Sequence, residues 1–136
     1  MKLMTRDTDY AIRALLFLAR EEDRTISVAE LVRSLKIPRP FLRKIMQTLN
    51  KKGVLSSRKG NGGGFRLGIP ANKIFLLDLI RIFQGSTTLN QCLFKKTLCP
   101  DRSACPLRKK IESLERHVFS ELKKTTIAGL VEDGEK

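Results

Sequence analysis

The sequence predicts a mainly α protein with a small β-hairpin: a winged helix-turn-helix followed by a long dimerisation helix. Three observations lead there. A short capped helix, a proline-containing turn and an amphipathic helix come in succession. A glycine-rich basic hairpin follows them. A second half contains a long helix with an apolar seam. At 136 residues the chain suits one compact unit or a small domain with an appendage. The pattern divides it into a winged helix-turn-helix over 1–70 and a cysteine loop with dimerisation helix over 71–136.

Residues 6–20, RDTDYAIRALLFLAR, read as a buried helix. Asp7, Thr8 and Asp9 are its N-cap and first-turn candidates, with carboxylates suited to the positive end of the helix dipole. EEDRT reads as a turn. SVAELVRSL, 27–35, opens with a capping box, Ser27 and Glu30. KIPRP interrupts it, because proline is excluded from helix interiors but fits a first turn. PFLRKIMQTLNKKG, 40–53, is the clearest helix. Phe41, Leu42, Ile45, Met46 and Leu49 fall on one side and are expected to be buried. Arg39, Arg43, Gln47, Asn50 and Lys51 fall on the other, and Gly53 ends it.

Val54, Leu55, Phe65 and Leu67 flank a basic, glycine-rich tip, Arg58 to Gly64, which reads as a hairpin. IFLLDLIRIFQG, 74–85, reads as an apolar helix ended by Gly85. LRKKIESLERHVFSELKK, 107–124, is a long amphipathic helix whose Leu107, Ile111, Leu114 and Val118 step as a packing seam does. TIAGLV suggests a short last helix, and VEDGEK reads as a frayed tail.

Composition narrows the function. Net charge is +13, and between Leu31 and Leu77 there are eleven Lys and Arg and no acidic residue. Such a one-sided stretch implies a polyanionic partner. The helix order makes that partner double-stranded DNA. Arg39, Arg43 and Gln47 are the candidates for base contact in a major groove, since Arg forks onto guanine and Gln onto adenine. Lys44, Lys51 and Lys52 suit phosphates, which fix register. At the wing tip, Arg58, Lys59 and Asn61 complete the interface, with Arg58 or Lys59 suited to a minor groove. The glycine run lacks the GK[ST] ending of a phosphate-binding loop. One histidine and no nucleophile–base set argue against an enzyme. No apolar run is long enough to span a bilayer and no secretory signal is evident, so a cytoplasmic protein is expected.

All three cysteines lie in CLFKKTLCPDRSACPLR, 92–108, spaced C-x6-C-x5-C. Zinc sites usually show CxxC pairs, so the wider gaps suit a larger object. Iron–sulfur clusters take thiolates, and a cubane needs three of them plus a fourth ligand. Cys105 precedes Pro106 at a helix start, where thiolates are stabilised. The competing reading is a metal-free thiol–disulfide switch with one spare thiol.

Together LMTRDTDYAIRALLFLA, GVLSSRKGNGGGFRLG and the three-cysteine loop resemble the family of winged-helix iron–sulfur transcriptional regulators that includes IscR, NsrR and RirA. The resemblance covers nearly the whole chain. It implies a homodimer on a near-palindromic operator, with cluster state tuning DNA affinity in response to oxygen, nitric oxide or iron and cluster status. In IscR-like members a histidine three residues after the last cysteine is a ligand; here that position is Arg108, and the single histidine, His117, lies far along the helix. NsrR-like members use an aspartate near the N-terminus, here Asp9, with Asp7 a nearby competitor for that place. The resemblance thus implies Cys92, Cys99, Cys105 and Asp9 around a 4Fe–4S cluster, favoured over 2Fe–2S. Where IscR-like members place Glu in the recognition helix, this chain has Arg43, which implies a different operator preference.

Overall fold

The computed structural model describes residues 3–21, 24–85 and 106–134. Helix α1 (Arg6–Arg20) is the central element. Thr5, not one of the expected Asp7–Asp9 set, is its N-cap: its side chain accepts from the Thr8 N–H. Asp7 and Asp9 occupy the first turn, where their charge suits the dipole. Thr8 is fully buried instead of capping. Ala11, Ile12, Ala14, Leu15 and Leu18 form the inward face of α1. Helices α2 (Val28–Leu35), α3 (Arg39–Lys51), α4 (Leu76–Gln84) and α6 (Ile127–Gly134) all pack on α1.

Ser27 caps α2 as its sequence signature requires, accepting the Glu30 N–H at 3.1 Å. The Glu30 carboxylate is paired outward with Arg24, whose Nη1 and Nη2 donate to its two oxygens at 2.9 and 2.6 Å. The α2–α3 turn is made by Lys36 in the left-handed region (φ 57°), with its N–H donating to Val32 O. Ile37 is driven into the core, and Pro38 stands at the N-cap of α3.

Leu42, Ile45, Met46 and Leu49 of α3 are buried as expected, but Phe41 is not. It is 38% exposed, and the Arg6 guanidinium lies 4.4 Å from its ring centroid. The 3.6-residue period puts Phe41 at the edge of the apolar stripe, where it meets the Arg6 side chain and not the core. Gly53, at φ +81°, ends α3.

Strands β1 (Leu55–Arg58) and β2 (Gly64–Leu67) form an antiparallel hairpin, with Leu55 opposite Leu67 and Arg58 opposite Gly64. Ile26 adds a bridge to Phe65, anchoring the wing to the residue just before the α2 cap. Two glycines of the run have different duties. Gly62 takes φ +75° in open space, inside a turn closed by Gly63 N–H donating to Gly60 O. At Gly64 an added Cβ would lie 2.2 Å from Ile26 O, so only glycine lets the wing dock.

Beyond the wing, a 3-10 turn (Ala71–Lys73) leads to α4. This helix starts at Leu76, two residues after the expected Ile74. Ile74 and Phe75 are extended and pair with the segment before α6: Ile127 N–H donates to Ile74 O and Leu76 N–H to Thr125 O. Helix α5 (Pro106–Lys124) matches the predicted span. Helix α6 runs to Gly134, so Val131–Gly134 are helical where a frayed tail was expected; packing on α1 supplies the reason. One apolar cluster joins α1 to α4, Leu122 of α5 and Ile127 of α6. Among the described residues no helix is long and apolar enough to cross a membrane.

Candidate DNA interface and cluster-ligand residues

The outer face of α3 presents what the sequence pattern predicts. Arg39, Arg43, Lys44, Gln47 and Lys51 are all exposed on this one helix. Three-to-four-residue spacing aligns Arg39, Arg43 and Gln47, so their donors share a side. Thr48 is withdrawn from that surface chemistry, because its hydroxyl donates to Lys44 O at 2.9 Å. Arg58 closes β1, and Lys59 and Asn61 stand on the turn beyond it; all three are exposed. Through the Ile26–Phe65 bridge, the wing carrying Arg58 is fixed to the same body as the α2–α3 pair. None of these cations has a carboxylate within ion-pair distance among the described residues. An anionic ligand therefore has no internal salt bridge to break here.

Asp9 lies on the first turn of α1, with a side chain 43% exposed and its Oδ2 3.0 Å from Arg13 Nε. An exposed pair four residues apart holds a carboxylate weakly, by about 0.3–0.5 kcal/mol. Asp9 is thus both accessible and replaceable in its present contact. Cys92, Cys99 and Cys105 lie outside the described residues. Among the described residues no three His, Cys, Asp or Glu side chains gather at one point. By donor chemistry, three thiolates and one carboxylate oxygen fit the four corners of a cubane.

One polar constellation escaped the sequence reading. Gln84, the last residue of α4, accepts at Oε1 from the Thr5 N–H (2.9 Å) and the Thr8 hydroxyl (2.7 Å), and its Nε2 donates to Leu3 O (3.3 Å). It ties the N-terminus of α1, which carries Asp9, to the end of α4, after which the cysteine segment begins. The contacts span about 80 residues of sequence, so no local pattern foretells them.

With the winged architecture and its exposed basic face established, relatives give the family. The model of the Rrf2 family, described as iron-dependent transcriptional regulators, matches residues 4–133. The chain belongs to the Rrf2 family. It is a DNA-binding transcriptional regulator and not an enzyme. A protein of Aquifex aeolicus named as an HTH-type transcriptional regulator is 38% identical over 129 residues, 93% of this chain and 90% of that protein. CymR (YrzC), the global cysteine regulator of B. subtilis, has a fold superposing with a TM-score of 0.81 at 19% identity, covering 97% of this chain and 98% of that one. IscR of T. potens superposes with a TM-score of 0.77 at 20% identity, covering 98% and 88%. These two likenesses establish a shared Rrf2 winged-helix fold.

Proposed function

We propose that this Rrf2 regulator binds a near-palindromic operator as a homodimer, and that its DNA affinity is governed by an iron–sulfur cluster. The reading rests most on one observation: a carboxylate, Asp9, stands exposed in a weak surface pair, in a chain whose three cysteines need a fourth ligand for a cubane. Cys92, Cys99, Cys105 and Asp9 would hold the cluster, 4Fe–4S in preference to 2Fe–2S. When bound, it supplies a group responsive to oxygen, nitric oxide or iron and cluster supply.

The chain's own residues divide the remaining work. Residues 1–70 read DNA: Arg39, Arg43 and Gln47 address base edges, Lys44 and Lys51 address phosphates, and Arg58, Lys59 and Asn61 reach from the wing. Residues 71–136 carry the ligand loop and the dimer helix. On α5, Leu107 and Leu114 are 55% and 50% exposed in one protomer, an apolar seam that a second copy would cover. Two-fold pairing would then set the spacing of two α3 helices to about one turn of DNA.

A second reading keeps the same DNA chemistry but makes the cysteines a metal-free thiol–disulfide switch. A protein of the same fold, CymR of Staphylococcus aureus, is known in an oxidized form, which favours it. Selection of duplexes from a random library by anaerobically purified protein, before and after cluster removal, tests the proposal. A two-fold operator whose affinity changes on removal is expected. Binding that is indifferent to removal but altered by a disulfide would move the assignment to the thiol switch.

A further inference from the structure

Two residues of the helical body stand where local physics disfavours them, and they stand against each other. Arg6 is the first residue of α1, next to the Thr5 cap, so its charge faces the positive end of the helix dipole. Phe41 is an aromatic left 38% exposed on the recognition helix, although four neighbours on its stripe, Leu42, Ile45, Met46 and Leu49, are fully buried. The Arg6 guanidinium lies 4.4 Å from the Phe41 ring centroid. Neither placement improves its own helix, and places where a sequence breaks local rules are where function is expected.

We propose that Arg6, seated on the ring of Phe41, is a DNA-backbone ligand that extends the interface from α3 to the start of α1. The proposal rests on the DNA-binding reading and adds a contact to it. The Arg6 guanidinium lies over the ring, and with five N–H donors it keeps those turned away from the ring available to a phosphate. Among the described residues no carboxylate pairs with Arg6; the nearby Asp9 is engaged with Arg13. Phe41 and Lys44 are three residues apart on α3, so they share one flank. Arg6 thereby lengthens the row that Lys44 begins, on the phosphate side of the helix and away from Arg39 and Arg43. The ring contact also fixes a long side chain before DNA arrives, which lowers the ordering cost of the contact.

The test is duplex binding by the full-length protein as a function of salt, on a random-sequence duplex of about 30 bp, with thermal midpoints measured in parallel. Arg6→Gln should reduce the slope of log affinity against log salt by about 0.9 for each Arg6 that meets a phosphate. The loss should be equal on every sequence. Arg6→Lys should hold the slope near that of the wild type. Phe41→Leu, which keeps an apolar side chain without the ring, should weaken binding about two- to fivefold with Arg6 still present. A lowered thermal midpoint for Arg6→Gln with an unchanged salt slope would show a purely structural contact and overturn the proposal. A wild type whose binding shows no salt dependence would instead remove the DNA reading itself, and this inference with it.

Discussion

Replacing Gly64 with alanine is expected to loosen the wing from the helical body. An ideal Cβ at this position would lie 2.2 Å from Ile26 O, 2.6 Å from Ile26 C and 2.8 Å from Ser27 Cα, at φ +153°. Backbone atoms cannot swing aside as a side chain can, so the strand has two choices. It can stay docked and accept a strained backbone, at about 1–3 kcal/mol, together with the clash. It can also withdraw by about 1 Å to reach ordinary contact. Withdrawal breaks the paired bonds of the bridge, Ile26 N–H to Phe65 O at 2.9 Å and Phe65 N–H to Ile26 O at 2.8 Å. Two such bonds are worth about 1–3 kcal/mol net. Partial exposure of Ile26, fully buried in the docked state, adds about 1 kcal/mol. Either route gives a loss of about 2–4 kcal/mol. Urea denaturation at fixed protein concentration measures it, with Gly62→Ala as the control. That position has φ +75° and open space around it, so its cost should be near 1–2 kcal/mol from backbone conformation alone. A Gly64→Ala protein within about 0.5 kcal/mol of wild type, or no less stable than Gly62→Ala, would refute the reasoning.

Other perturbations probe separate links. Thr8→Val keeps the shape of a buried side chain but removes one of the two donors to Gln84 Oε1; a loss of about 1–2 kcal/mol is expected by denaturation. Hydrogen bonding from Arg24 holds the Glu30 carboxyl below its ordinary 4.5. A depressed carboxyl contributes stability that is present above its unfolded pKa and lost as pH falls through the lower folded value, so Glu30→Gln should flatten that acid limb of the stability–pH profile. The pair is exposed, so the effect should be small and should fade with added salt. Arg43→Ala should relax preference at one operator base pair by about 1–3 kcal/mol in a duplex-selection assay, whereas Lys44→Ala should weaken all duplexes alike.

Much of this architecture was legible because it is local. The Ser27 cap, the Gly53 stop and the burial of Leu42, Ile45, Met46 and Leu49 each follow from a few adjacent residues and stand as read, while α3 begins at Arg39, one residue before the expected Pro40. The exposed basic face of α3 followed from the same period that buried Leu42, Ile45, Met46 and Leu49. What sequence missed is non-local. The start of α4 moved to Leu76 because Ile74 and Phe75 pair with residues 125–127, and α6 continued through Val131–Gly134 because α1 supports it. Thr5 replaced the Asp7–Asp9 set as cap, since Thr8 faces inward to Gln84. Phe41 lay at the margin of its stripe, and periodicity does not decide between a core and a neighbouring cation there. Asp9 carried the least local signal: in sequence alone a first-turn carboxylate and a cluster ligand look the same, and only the resemblance to a family singled it out.

The measurement that bears most directly on the cluster assignment is iron and acid-labile sulfide per chain in anaerobically purified protein, with its absorbance spectrum. The account predicts brown protein with about four iron and four sulfide ions per chain, and a cluster lost much more readily from Asp9→Ala. Protein that stays colourless after reconstitution with iron and sulfide would contradict it, leaving the winged helix and its DNA chemistry in place but assigning the three cysteines to thiol redox.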